Sequence, residues 1–229
     1  MGALRSSVIL AGGAGRRIGS QKAFLEFFGV TMIERTVEVV GEVADEVVVV
    51  ARDDDQAERL REVVPGARVV ADPVRGFGPV AGLAAGMAAA DGQLALAVGC
   101  DLPFLNPRVM ELLFDLVEGH DAAVPIREGG LIEPLHAVYR AGPMARACRE
   151  ALAVGERRIR APLGGLSVRN VPVELFRPMD PQLWSLYNLN TEEDLSEARR
   201  IEEVRCGGGG PGIPRRRPGR RSQPLRESR

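Results

Sequence analysis

Val8-Ile9-Leu10-Ala11-Gly12-Gly13-Ala14-Gly15-Arg16-Arg17-Ile18-Gly19-Ser20-Gln21-Lys22 is a short apolar run followed at once by a glycine-rich, basic loop. The run reads as a buried strand, so the loop leaves the strand at its carboxyl end. Glycines free the backbone to take positive φ and let its N–H groups approach an anion closely. Arg16, Arg17 and Lys22 place positive charge in the same segment. The stretch reads as a phosphate cradle. The plainer alternative is a surface turn with solvated arginines, but several cations in a turn beside a strand serve little packing purpose.

Counting excludes the two commonest glycine loops. A dinucleotide fingerprint on Gly13 and Gly15 needs a third Gly or Ala where Ile18 stands. A Walker loop from Gly13 needs Gly-Lys at 18 and 19, which are Ile18 and Gly19. A nicotinamide redox protein is thereby disfavoured.

Outward from the loop, strand-like and helix-like periods alternate. Thr31-x-x-Glu34 is a capping box opening a helix with Ile33, Val37, Val40 and Val43 inward. Glu46 to Ala51 reads as a strand buried on both faces. A charged helix over 55–64 ends at Pro65-Gly66, and 67–71 returns as strand with Asp72 at its end. A Gly- and Ala-rich helix over 79–90 precedes a strand over 94–99, then Asp101. Asn106-Pro107 opens the next helix. Segments 121–126 and 134–139 are strands whose short connection, the turn Glu128-Gly129-Gly130, calls for antiparallel pairing. A helix over 143–154, a strand over 167–173 and a last helix opened by Asn190 and Glu193 finish the pattern. The expected fold is α/β: one doubly wound, mostly parallel, Rossmann-like sheet with a short antiparallel portion. Ligands bind such sheets outside the strands' carboxyl ends, so the loop, Asp72 and Asp101 can share one rim.

Composition agrees. Of 229 residues, 45% are apolar and only 4% aromatic, which suits Val-rich parallel strands under Ala-rich helices. Three cysteines, Cys100, Cys148 and Cys206, lack metal-ligand spacing and suit a reducing cytosol. With no signal-like or membrane-length apolar run, the expected location is cytoplasmic and the expected membrane contact none. From Cys206 onward seven Arg face Glu227 alone, a balance of +6, so a total of −1 leaves residues 1–205 at −7. The acidic core argues against nucleic-acid binding by the folded part, while the Arg run leaves open a contact with nucleic acid or an acidic partner beside the plainer reading of a solvated tail. The expected organisation is a domain over 1–205 and a disordered Gly/Pro/Arg-rich tail over 206–229.

Transfer to or from an α-phosphoryl needs charge neutralisation on the leaving pyrophosphate, which Arg16, Arg17 and Lys22 can supply. A bridging magnesium needs one or two hard carboxylates, and Asp101, solvent-facing after its strand, is the candidate. Its plainer role is an Asx turn into Leu102-Pro103. His136 on an apolar strand and Cys100 read as core, His120 as surface, and Trp184 and Tyr187 as core aromatics before a stacking platform for a ligand.

Leu-Ala-Gly-Gly at 10–13, with Arg16 and Lys22 beyond it, resembles the molybdenum cofactor guanylyltransferase family, the molybdopterin-guanine dinucleotide biosynthesis protein A type. Four later segments resemble it in the same order: Gly78-Pro79-Val80-Ala81-Gly82, Cys100-Asp101-Leu102-Pro103-Phe104, Glu133 to Tyr139, and Asn188-Leu189-Asn190-Thr191-Glu192-Glu193-Asp194-Leu195. Gln21 stands where the family often has Asp, and Thr31-Met32 replaces a common Pro-Leu. The resemblance implies transfer of GMP from GTP to the phosphate of molybdopterin, or of molybdenum cofactor, with Mg2+. It implies GTP held by Leu10, Ala11, Gly12, Gly13, Arg16, Lys22, Asp72, Gly78, Pro79, Gly82 and Asp101. Arg16, Lys22 and Asp101 would be catalytic, Asp101 the metal ligand, and Asn188 and Asn190 turned to the second substrate. Cofactor-biosynthesis or acceptor proteins are the implied partners. The residues alone leave open a sibling using CTP, a transferase acting on a sugar phosphate, and a binding module without turnover. Gly12-Gly13 and Gly78 to Gly82 favour guanylyl transfer, and Lys22 with Asp101 disfavours the bare module.

Overall fold

Runs of Val and Ala that alternate with amphipathic segments have only one economical arrangement, strands inside and helices on both faces. The computed structural model describes residues 4–12, 22–74 and 77–207. Its sheet contains β1 (Arg5–Leu10), β4 (Glu46–Ala51), β5 (Arg68–Ala71), β6 (Leu94–Gly99), β7 (Ala122–Ile126), β8 (His136–Arg140) and β9 (Val168–Pro172), in the order β5-β4-β1-β6-β8-β7-β9. All neighbours pair in parallel except β8, which runs antiparallel to both β6 and β7. The short 126–136 connection accounts for that one reversal.

Helices α1 (Met32–Val40), α2 (Asp54–Val63) and α4 (Pro107–Leu116) cover one face, against Ile9, Val49, Leu96 and Val138. Helices α3 (Pro79–Ala89) and α5 (Ala141–Ala153) cover the other, against Val8, Val50, Ala97 and Tyr139. The alternation of Val8 with Ile9 and of Val48 with Val49 between the faces is the two-residue period of a strand buried on both sides. At Gly86 of α3 a Cβ would stand 2.3 Å from Val8 Cγ1 and 2.8 Å from Val50 Cγ2, so the helix lies against the sheet at a distance only glycine permits.

A third, smaller core lies beside the carboxyl rim. It joins Phe27, Met32, Phe104, Leu189, Leu195 and Ala198, with Trp184 and Tyr187 packed on it. It gathers the hairpin β2 (Glu26–Phe27) and β3 (Val30–Thr31), the start of α1, the segment after β6, and α6 (Glu192–Gly207). The hairpin is unforeseen by pattern reading, since its strands are two residues each. Its turn has Phe28 at φ +51° and Gly29 at +83°, both left-handed as a tight two-residue hairpin needs.

The capping box at Thr31 forms as expected: Thr31 Oγ1 accepts from Glu34 N, and Glu34 accepts from Thr31 N at 2.9 Å. The last helix departs by one residue from its expected opening. Thr191, not Asn190, accepts from Asp194 N at 3.1 Å, and the Asp194 carboxylate accepts from Asn190 N and Thr191 N. The shift has a physical cause, for the Asn190 side chain is engaged elsewhere, by Lys22. The tail from 208 lies outside the described residues, and no described helix is long and apolar enough to cross a membrane.

Candidate active site

Parallel register brings the strand ends into line. Leu10 pairs with Val50 on one side and Gly99 on the other, and Ala51 with Ala71. The residues that follow these strands, Ala11-Gly12, Arg52, Asp72 and Asp101, therefore leave along one rim. Here the sheet order departs from β1 in both directions, which opens a crevice between diverging loops.

The exits are pinned by hydrogen bonds. Ala11 N donates to Val50 O at 2.9 Å, and Cys100 N to Leu10 O at 3.3 Å. Buried Gln56 donates through Nε2 to Ala11 O and accepts from Arg52 N, so one side chain fixes two strand exits. Sequence reading passed over Gln56, whose only local signal is a polar residue on the inward face of α2. Gly12 lies against Arg52, with 3.3 Å available to a Cβ.

Lys22 begins a single 3-10 turn, Lys22–Phe24, anchored by buried Ala23 and by Leu25 N donating to Lys22 O. From there its ammonium donates to Asp101 Oδ2 at 2.8 Å and Asn190 Oδ1 at 2.9 Å. Residues 79 and 168 positions apart thus meet on one nitrogen. Asp101 is held at its backbone, where its carbonyl accepts from Leu189 N at 2.9 Å. Its Oδ1 lies where a Gly99 Cβ would come within 2.5 Å, so only glycine lets the carboxylate fold back over the strand end.

Gly78, at φ +69°, turns the chain into α3, and Pro79 takes the first helical position. Gly78 at the N-cap offers no capping side chain, and among the described residues none replaces it, so the first N–H groups of α3 can meet an anion. Gly82 packs on Leu10, where a Cβ would be 3.2 Å from Cδ2. The Gly78–Gly82 segment therefore lies beside the first strand exit. Nearby, the Arg157 guanidinium stacks over Phe77 at 4.7 Å, a cation that sequence reading did not single out. Asp72 forms an Asx turn to Val74 N, and burial holds its carboxyl above its ordinary value. Asn188 donates to Leu186 O at 3.3 Å in the same segment that carries Asn190.

Of the residues the sequence singles out, Leu10, Ala11, Gly12, Lys22, Asp72, Gly78, Pro79, Gly82, Asp101, Asn188 and Asn190 are placed on this rim and its border. Gly13, Arg16 and Arg17 lie outside the described residues. Cys100 and His136, read from the sequence as core residues, are withdrawn from solvent. Cys100 is 3% exposed, and burial with the neighbouring Asp101 charge pushes its thiol up to about 12. His136 is 1% exposed, and burial lowers it to about 4. Trp184 and Tyr187 pack on Phe104, at 6.3 and 6.0 Å between ring centres.

Among the described residues no group of three or more His, Cys, Asp or Glu is arranged to hold a metal. The rim instead offers separate carboxylates, of which Asp101 stands beside the Lys22 ammonium and Asp72 closes its own Asx turn. That suits a hard cation that keeps most of its waters and takes other oxygens from a polyphosphate. A buried transition-metal cage is not what these donors form. Backbone N–H groups at α3, the Lys22 ammonium and one carboxylate can together hold a metal-chelated polyphosphate.

Residues 7–168 match the model of the MobA-like NTP transferase domain family. A probable molybdenum cofactor guanylyltransferase of Methanosarcina mazei is 38% identical over 198 residues, covering 83% of this chain and 88% of that protein. A molybdenum cofactor guanylyltransferase of Desulfosudis oleivorans is 35% identical, over 84% of this chain and 93% of that protein. Among solved structures, molybdopterin-guanine dinucleotide biosynthesis protein A from Archaeoglobus fulgidus superposes with a TM-score of 0.76 at 33% identity. It covers 89% of this chain and 99% of its own.

Proposed function

We propose that this chain, which belongs to the MobA-like NTP transferase family, transfers GMP from GTP to the terminal phosphate of molybdopterin, free or carrying molybdenum. The observation that carries the reading is the junction of Lys22, Asp101 and Asn190 on one ammonium at the rim of the sheet. It ties the residue proposed to neutralise the triphosphate to those proposed for the metal and for the second substrate.

In this reading GTP lies along Leu10 to Gly13, with Asp72, Gly78, Pro79 and Gly82 around it and Arg16 and Lys22 on its phosphates. Asn188 and Asn190 face the pterin substrate. Asp101 would hold Mg2+, which when bound supplies positive charge to the phosphate oxygens. An oxygen of the acceptor phosphate forms a bond to the α-phosphorus. The bond from that phosphorus to the bridging oxygen breaks, and the electron pair leaves with pyrophosphate. The attacking phosphate is already an anion at neutral pH, so the chemistry needs no general base. This accords with a rim whose nearest histidine, His136, is buried. Lys22 stabilises charge present in the ground state and growing on the leaving group, and Asp101, held beside it, is the carboxylate that would hold the metal. We place the reaction in the cytoplasm, with residues 1–205 as the transferase domain.

The test is pyrophosphate release by the full chain with Mg2+ and molybdopterin, using each of the four nucleoside triphosphates. Release is expected with GTP above CTP, ATP and UTP. GTP at a hundred times its dissociation constant should stabilise the fold by about 2.7 kcal/mol. Equal release or equal thermal shifts with all four would defeat the guanylyl assignment.

A further inference from the structure

The loop that carries Asp101 is fastened by a buried ion pair between α1 and α6. Arg35 of α1 donates through Nε to Pro103 O at 2.7 Å, and its terminal nitrogen donates to Glu202 of α6 at 2.6 Å. Both side chains are nearly out of solvent, at 7% and 8% exposed. Glu202 also accepts from Arg205 at 3.3 Å, and that guanidinium lies 5.0 Å over Phe104. The Arg35 guanidinium covers Phe27 at 5.2 Å. Thus Pro103 is held from beneath by Arg35, Phe104 from the side by Arg205, and both cations converge on one carboxylate of the last helix. The same helix reaches the crevice at its other end, where Asp194 sets the turn that presents Asn190 to Lys22.

A buried ion pair is a poor source of stability, because desolvating two charges offsets most of their attraction. A hydrophobic pair of similar size often does as well. What the charged pair adds is direction. A guanidinium fork that donates to Pro103 on one side and to Glu202 on the other fixes the loop's distance from α6 in a way apolar contact does not.

We propose that Arg35 and Glu202 are positioning residues for the transfer: they lock the Asp101–Phe104 loop to α6 and so set the Asp101 carboxylate relative to Lys22 and Asn190. The inference rests on the guanylyl-transfer reading for its kinetic readout, but the geometry it concerns can be measured without turnover. Outer partners of a metal carboxylate typically change affinity or rate by about ten- to a hundredfold when removed.

The test compares wild type with Glu202→Gln, Arg35→Lys, and the double variant Arg35→Met with Glu202→Leu, all in the full chain. Glu202→Gln strands a buried guanidinium and can fail to fold, whereas the double variant removes both charges together. Arg35→Lys keeps the charge but cannot serve both partners as a rigid fork. Folding is checked by thermal melting, and rates are measured well below the melting temperature. Each folded variant should lose about tenfold in kcat at unchanged GTP affinity. In a second readout, MgCl2 is titrated against the protein both alone and saturated with GTP, following Trp184 fluorescence. Trp184 is the single tryptophan of the chain and packs on Phe104. Half-saturation should move to higher MgCl2 by a similar factor in each folded variant. A double variant with wild-type kcat and an unmoved MgCl2 midpoint would overturn the proposal and leave the pair a fold element only. Failure of the functional reading looks different: wild type itself would release no pyrophosphate from GTP, while the MgCl2 midpoint would still decide the role of the pair.

Discussion

The two walls of the crevice are built by different physics. One wall is the parallel half of the sheet, β5-β4-β1-β6, where strand ends, a glycine at each close approach and the Gly78-Pro79 start of α3 set the backbone in place. The other is the C-terminal segment over 176–207, where side chains do the setting. Asp180 accepts from Trp184 N and Ser185 N, Tyr187 donates to Asp194 O, and Glu202 gathers Arg35 and Arg205. In the first wall, position along a strand decides what lies at the rim. In the second, pairs up to 168 residues apart decide it. A backbone wall tolerates side-chain change and fails on added volume; a side-chain wall tolerates volume and fails on lost charge or hydrogen bonding.

The sharpest break of that contrast is Asp101→Asn, because Asp101 stands on the backbone wall while its carboxylate belongs to the side-chain wall. Asparagine keeps the volume, and the Leu189 to Asp101 backbone bond survives. The charge facing Lys22 at 2.8 Å does not. Turnover should fall on the order of a hundredfold to a thousandfold with most GTP affinity retained. Lys22→Ala should weaken GTP binding as well as rate, since the ammonium meets charge present before the reaction. Pyrophosphate release across a magnesium titration separates the two, and a wild-type rate for Asp101→Asn at every magnesium concentration would remove the metal role.

A second break concerns the seam between the walls, where His136 at the start of β8 faces Ser185, with Asp180 and Arg127 acting on it. Neither ring nitrogen has a hydrogen-bond partner among the described residues, and the ring lies beside Phe176. Burial lowers its pKa from 6.5 to about 4. As pH falls below about 6.5 the unfolded chain takes up a proton that the folded chain refuses. Stability is therefore intact above that pH and declines toward pH 4, by up to about 3 kcal/mol. Urea midpoints at neutral and acid pH should show this decline in wild type and a smaller one in His136→Leu. Equal declines would clear His136 and move the acid sensitivity to the carboxylates.

These contrasts explain what the sequence makes legible. Glu46–Ala51, Leu94–Gly99, the Thr31 box and the Asn106-Pro107 opening each depend on neighbours within a few residues, and each forms as the pattern implies. So does the reversal at β8, because the 126–136 link is too short for a crossover. The common rim follows from topology once the strands are assigned. What local pattern does not reveal is set by distant partners. Arg35 and Glu202 look like ordinary surface charges of amphipathic helices, and Gln56 like a solvated residue, until the packing removes their water. The one-residue error at the last helix has the same origin. Asn190 and Thr191 are both good caps, and Lys22, 168 residues upstream, decides which is free to act.

The smallest expected effect tests the backbone wall by volume alone. Gly86→Ala adds one methyl in mid-helix, where alanine is favoured over glycine by about 1 kcal/mol. That methyl would meet Val8 Cγ1 at 2.3 Å and Val50 Cγ2 at 2.8 Å, both on β-branched side chains of central strands that cannot rotate away. Overpacking of this kind costs about 1–3 kcal/mol, so the clash at two β-branched side chains should outweigh the propensity and leave a net loss of up to about 2 kcal/mol. The strain has one outlet, a shift of α3 off the sheet, and the first turn of that helix carries Gly78 to Gly82. A lower urea midpoint should therefore come with weaker GTP binding and an unchanged kcat at saturating GTP, since Asp101 and Lys22 belong to other elements. Gly164→Ala is the matched control, a glycine with nothing within 4 Å of a Cβ and no left-handed backbone, where both readouts should stay at wild-type values. If Gly86→Ala instead raised the midpoint and left GTP affinity alone, the close approach of α3 would be incidental. The nucleotide wall would then rest, like its counterpart, on side chains.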